Sequence, residues 1–159
     1  MAKYFATIVW ERGDAPFTDR RYSRGHRMLF DGGVDVPGSS SPHVVPLPYS
    51  VEAAVDPEES FVASLSSCHM LWFLDIAARG GWTVDSYRDE ALGTMGRDAS
   101  GHLAITTVVL RPEVHFGGER LPDVAAQEAM HDEAHESCFI ANSVRSEVRC
   151  EPVFVAASE

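Results

Sequence analysis

Cysteines and histidines are the side chains of this sequence whose types and spacing could carry covalent or metal chemistry. Cys68 lies in Leu65-Ser66-Ser67-Cys68-His69, where small residues, a thiol and an imidazole interrupt a bulky apolar stretch. Small neighbours let another segment approach closely. A reactive cysteine must reach its thiolate, and burial among apolar side chains disfavours that form. Helix-dipole help fades after the first turn, and Cys68 falls about three turns into the helix it occupies. A cation must therefore come from elsewhere. The helix has none before Arg79, and the nearest upstream basic cluster is Arg20, Arg21, Arg24 and Arg27. An arginine suits the task because it stays charged when partly buried and presents a rigid donor fork. A solvated turn is the plainer use of that cluster.

Cys138 follows a predicted helix at a probable break, beside Phe139 and Ile140. A cysteine at the end of an element moves more easily than one in mid-helix, which suits a thiol that must approach an oxidised sulfur. Cys150 falls on the apolar face of the last predicted strand and reads as a small buried hydrophobe without chemistry. A competing pattern is metal ligation. His131, His135 and Cys138 fall at i, i+4 and i+7, with His69 beside Cys68, and two packed helices could join them into a zinc site. Paired histidines on an acidic helix are also common as plain surface residues.

The elements that position these groups follow from the rest of the chain. It has 159 residues, enough for one domain over 1–159, with 45% apolar and 23% charged residues, an ordinary globular composition. The formal net charge of −11 repels phosphate backbones and argues against nucleic acid as a partner. Met1-Ala2-Lys3-Tyr4 lacks the pattern of a signal peptide, and no apolar run approaches the ~20 residues of a membrane span. The expected location is the cytoplasm, with no membrane partner. Three cysteines in a reducing compartment are not a disulfide framework.

Tyr4 to Glu11 reads as a strand, and Met28-Leu29-Phe30 before Asp31-Gly32-Gly33 as a second. Val36 to Ser50, rich in Pro and Ser, reads as a long irregular loop whose apolar residues argue for packing. Asp56-Pro57-Glu58-Glu59 signals a helix start, and the run from Ser60 to Arg79 is apolar on nearly all sides, the mark of a central helix. Thr83 to Thr94 and Leu103 to Phe116 read as strands. Pro122 opens a second helix, with Asp123 in its first turn, running to about Glu136. Val144 to Val155 alternates as a half-buried last strand. The order is ββ-α-ββ-α-β, an α+β domain.

Together these residues resemble the OsmC/Ohr family, the osmotically inducible protein C and organic hydroperoxide resistance superfamily. The string from Asp56 to His69 is similar to its central-helix motif, with Glu58 ten residues before Cys68, and Ala134 to Asn142 is similar to the motif carrying its second cysteine. The resemblance covers nearly the whole chain and implies an intertwined homodimer with active sites at the interface. It implies that Cys68 is the peroxidatic thiol, Cys138 the resolving thiol, and that an arginine held by Glu58 stabilises the thiolate. Aligning back from Asp31-Gly32 favours Arg24 for that cation, with Arg21 second, in a hairpin that carries an insertion relative to the family. His69 is also uncommon after the cysteine.

The implied activity is reduction of organic hydroperoxides, with an external dithiol as reductant and no metal or organic cofactor. Val44, Val45, Leu47 and Tyr49, with Phe139, are candidates for a pocket that favours alkyl peroxides. Ten residues of helix put Glu58 about 15 Å along the axis from Cys68, so a partner chain is the better source of Glu58 and the arginine. The alternatives are a zinc-binding member at His131, His135 and Cys138, and a non-catalytic module for a small apolar ligand.

Overall fold

The computed structural model describes residues 1–155. Contacts divide the chain into two compact units, Met1–Ser60 and Phe61–Glu159. In the first, β1 (Ala6–Val9), β2 (His26–Phe30) and β3 (Asp35–Gly38) form an antiparallel meander, with Ala6 opposite Phe30 and Met28 opposite Val36. β3 takes up the beginning of the stretch that the sequence assigns to an irregular loop. Its Pro37 is tolerated because β3 is an edge strand, where a missing N–H costs no central ladder bond. The chain after it is held by serines: Ser39 Oγ accepts from the Val51 N–H at 2.9 Å and Ser41 Oγ from the His43 N–H at 3.2 Å.

Helix α1 (Pro57–Arg79) starts where the sequence predicts. Asp56 Oδ1 accepts from the Glu59 N–H at 2.7 Å, and Glu59 Oε2 accepts from the Asp56 N–H at 3.0 Å. Two otherwise orphaned donors are thus satisfied reciprocally.

In the second unit, each of the two long predicted strands is a pair. β4 (Thr83–Asp89) and β5 (Leu92–Arg97) are separated by Glu90 and Ala91, while β6 (Leu103–Leu110) and β7 (Pro112–Gly117) are separated by Arg111. β4 pairs with β7, and β5 with β6, all antiparallel. A single hairpin therefore bends into two arms. The bend has a physical cause in Asp89: its Oδ1 accepts from the Arg111 N–H at 2.6 Å, and its Oδ2 accepts from the Ser66 hydroxyl of α1 at 2.5 Å. The interruption shows in the sequence as Arg88-Asp89-Glu90 in one run and Arg111-Pro112 in the other, and Pro112 is placed at the first position of β7, where a strand tolerates it.

α2 (Val124–Ser137) is capped by Asp123, whose carboxylate accepts from the Ala126 N–H, so the helix begins two residues later than Pro122 suggests. After a 3-10 turn at Ala141–Ser143, β8 (Glu147–Cys150) joins β6 in parallel, with Leu110 opposite Cys150. It is shorter than the alternation from Val144 to Val155 predicts, although the predicted faces hold: Val148 and Cys150 are half-buried, Glu147 and Arg149 exposed.

Two apolar clusters cover two sides of the Phe61–Arg79 part of α1. Phe73, Ile76 and Ala77 pack with Val114 of β7 and with Met130 and Ala134 of α2. Leu65 packs with Val108 and Leu110 of β6, flanked by Val148 and Cys150. α1 is long and apolar enough, by length and composition, to cross a membrane, contrary to the expectation that no stretch would qualify. It packs against strands and α2 on two sides but leaves the stripe Ala63, Ser67, Leu71 and Asp75 exposed, so it is less covered than the central helix expected from the sequence.

Gly93 of β5 lies so close to α1 that a Cβ there would stand 2.6 Å from Val62 Cγ2. Val62 is β-branched and nearly fixed at χ1 in a helix, so it cannot swing clear cheaply. Gly93→Ala should lower stability by about 1–3 kcal/mol, the ordinary cost of overpacking. A shift of the urea midpoint at unchanged slope checks this; an unchanged midpoint would show that α1 can move off β5.

Candidate functional site

α1, α2 and β8 bring the sulfur and imidazole side chains of the second unit together. All three cysteines are free thiols, with Cys138 buried and Cys68 and Cys150 half-buried. Cys68 and Cys138, from α1 and from the break after α2, are neighbours, close enough that Cys68 bears on the ionisation of Cys138. Burial first, and then Cys68, pushes the Cys138 thiol up to about 11, so it stays protonated at neutral pH. The Ala141 N–H donates to the Cys138 sulfur at 3.4 Å, anchoring it in the turn that ends α2. Beside the pair stand two aromatic rings, Trp72 one turn after Cys68 and Phe139 next to Cys138. They meet edge to face with centroids 5.4 Å apart, and Phe139 is exposed.

The next residue of α1 enters a different neighbourhood. His69 and His131 are 1% and 3% exposed, with His69 Nε2 3.1 Å from His131 Nδ1 and 3.6 Å from Cys150 Sγ. His131 also stacks on Phe73 at 4.2 Å. Burial, then the nearby His135, lowers His69 to about 4; burial, then His69, lowers His131 to about 3. Both imidazoles are neutral. One hydrogen bond can join the facing nitrogens, and in either tautomer the buried Nδ1 of His69 has no protein partner. Cys150 is pushed up to about 12 by burial and then by the carboxylates of Asp89, Asp132 and Glu151. Tyr87, raised by burial, Asp89 and Cys150, keeps its phenol protonated.

Among the described residues, the ligating atoms that converge are those of His69, His131 and Cys150, all within 4.8 Å of one another. The set His131, His135 and Cys138 expected from spacing does not converge, because Cys138 lies beyond the end of α2 (Ser137) and turns towards Cys68. Cys150, read from the sequence as a hydrophobe, belongs to the cluster. Its inward face was legible, but nothing in the spacing links it to a histidine 81 residues away.

Of the remaining predicted site residues, Arg24 and Glu58 lie in the first unit. Arg24 Nη1 donates to the Arg20 and Tyr22 carbonyls, and its guanidinium lies 4.0 Å over the Tyr22 ring. Arg21 is exposed, 3.9 Å from Asp19. Glu58 is half-buried in the first turn of α1. Among the described residues no ion pair joins Glu58 to either arginine.

A family model described as OsmC-like protein matches residues 50–152. The chain belongs to the OsmC-like family. The matched segment of this OsmC-like chain contains α1, α2, β8 and all three cysteines. It is similar to an OsmC-like protein of unknown function from Vibrio cholerae, at 53% identity and TM-score 0.95 over 96% of this chain and 100% of that one. More distant structures share the fold. An organic hydroperoxide resistance protein from Elizabethkingia anophelis superposes at TM-score 0.70 with 14% identity, covering 97% of this chain and 96% of that one. The organic hydroperoxide resistance protein OhrB of Bacillus subtilis does so at 0.60 with 20% identity, covering 96% and 98%. No curated protein matches. The mixed α+β class expected from the sequence is the one these structures have.

The raised Cys138 thiol has a measurable consequence. Alkylation needs the thiolate, whose fraction falls about tenfold for each pH unit below the pKa. Iodoacetamide labelling of Cys138, followed by peptide mass analysis, should still rise about tenfold between pH 9 and pH 10 and reach its half-maximal rate only near pH 11. A plateau near 9 would show that Cys138 is not held neutral by burial and Cys68.

Proposed function

We propose that this OsmC-like protein is a thiol-dependent peroxidase that reduces organic hydroperoxides, with Cys68 as attacking thiol and Cys138 as resolving thiol. The observation that carries the reading is that these two thiols are neighbours, one half-buried in a helix and the other buried and protonated at a helix end. The Cys68 thiolate attacks the distal peroxide oxygen. The O–O bond breaks, the leaving alkoxide takes a proton and departs as the alcohol, and Cys68 becomes a sulfenic acid. The Cys138 sulfur then attacks the Cys68 sulfur, a disulfide forms, and the hydroxyl leaves as water with the Cys138 proton. An external dithiol restores both thiols.

Arg24 is assigned the cationic role, held by Glu58, in a homodimer whose partner chain supplies both. Its two carbonyl contacts use Nη1 alone, which leaves the Nε–Nη2 edge of the fork for a thiolate or peroxide. A second copy would also cover β1, which is exposed at every residue, together with exposed Tyr4 and Phe5 beside it. The Trp72–Phe139 pair favours an alkyl group next to the dithiol.

Mixing reduced protein with one equivalent of tert-butyl hydroperoxide tests the reading through free-thiol titration and intact mass. Wild type should lose two thiols and two mass units, a stoichiometry of about one disulfide per peroxide. Cys138→Ser should stop at sulfenic acid or overoxidise, and Cys68→Ser should be inert. Thiols that persist over minutes in wild type would refute peroxidase activity. Equal rates with hydrogen peroxide would refute the role of the aromatic pair.

A further inference from the structure

His69, His131 and Cys150 come from three elements far apart in sequence, and their ligating atoms meet in the interior of the second unit. The dithiol chemistry uses none of them. Around a tetrahedral zinc ion with ordinary bond lengths, two nitrogens stand about 3.3 Å apart and a nitrogen and a sulfur about 3.6 Å apart. The observed separations are 3.1 Å and 3.6 Å. Neutral imidazoles paired with one cysteine form a donor set that suits zinc over hard cations. No acidic side chain belongs to the convergent group, which argues against calcium or magnesium.

We propose that His69 Nε2, His131 Nδ1 and Cys150 Sγ form a buried zinc site that clips α1, α2 and β8 together. On binding, the Cys150 S–H bond breaks, a zinc–sulfur bond forms, and one proton passes to solvent. Three protein ligands leave one position open. Solvent or a further donor would take it; His135, one turn after His131 with an unpartnered buried Nδ1 among the described residues, lies outside the convergent set. The clip would fix His69, and with it the adjacent Cys68, while taking no part in the thiol chemistry. The site stands whether or not the protein is a peroxidase.

The alternative use of the same geometry is a hydrogen-bonded core cluster with no affinity for metal. Tag-free full-length protein, stripped with a chelator and titrated with ZnCl2 and separately with CoCl2, separates the two. A zinc site should take up one equivalent per chain and raise Tm by about 5–10 °C at metal a hundredfold above Kd. Cobalt should give the ligand-field bands of a tetrahedral ion and a thiolate charge-transfer band. Cys150→Ser should abolish the charge-transfer band, and His131→Asn should weaken binding. The double variant Cys68→Ser/Cys138→Ser should keep both the uptake and the band. Circular dichroism of the stripped variants checks folding; if either ligand variant fails to fold, wild type and the double variant still decide. Absence of stoichiometric uptake overturns the proposal. So does a cobalt spectrum that survives Cys150→Ser or disappears in the Cys68/Cys138 double variant.

Discussion

Covering α1 is the constraint on which the second unit depends. A helix apolar on nearly every side needs cover from more than one neighbour, although α1 still leaves the stripe Ala63, Ser67, Leu71 and Asp75 exposed. One patch, Phe73 with Ile76 and Ala77, is covered by β7 and α2; another, Leu65, is covered by β6 and β8. A flat hairpin could not reach both patches. The bend at Glu90–Ala91 and Arg111 lets one long ladder serve them, and Asp89 stabilises the bend while bonding back to Ser66 on the helix it helps to enclose. The small residues around Cys68 thus have a structural use: Ser66 is both short enough for close approach and a donor to the bend.

What was legible in the sequence was mostly local. The start of α1 could be read because a capping box is made by side chains three residues apart. The inward face of β8 could be read because alternation survives one-sided burial. The division of the two long strands is marked in the sequence by Arg88-Asp89-Glu90 and Arg111-Pro112, but the contact that fixes the bend, from the Arg111 N–H to Asp89, spans 22 residues and is not local. β3 was hidden for another reason: an edge strand needs little of its own sequence, so a proline and a glycine in Asp35–Gly38 pass for loop. Cys68 and Cys138 were legible as a pair only through the resemblance, and the fold makes them neighbours. The imidazole cluster was half legible. Spacing on α2 pointed at histidines with a cysteine, but chose the wrong cysteine, because no periodic rule reaches from α2 to β8.

Adjacent positions in a helix point about 100° apart, and α1 uses that divergence. Cys68 meets Cys138 where α2 has ended, whereas His69 meets His131 within α2 and Cys150 on β8. The cysteine pair and the imidazole cluster therefore share a pair of helices without sharing a side chain. Moving either helix by a fraction of a turn would disturb both, which ties the geometry of the dithiol to the packing of the imidazoles.

The three thiols are not interchangeable, and backbone freedom separates them as much as protonation does. Cys150 is locked in β8, in register with Leu110, and its thiol is kept neutral by burial and three carboxylates. Bringing it to an oxidised Cys68 would mean breaking the parallel pairing with β6. Cys138 is also buried and neutral, yet it sits at a helix end followed by a short 3-10 turn, held by its own backbone hydrogen bond to the His135 carbonyl and by the Ala141 N–H. Those contacts can be exchanged without opening a sheet. Its proton is also an asset, since a neutral thiol beside Cys68 does not repel a thiolate there, whereas two adjacent thiolates would. Of the two other thiols, Cys138 is the one that could, on the proposed peroxidase reading, stay uncharged beside Cys68 and close on it at the lower structural cost.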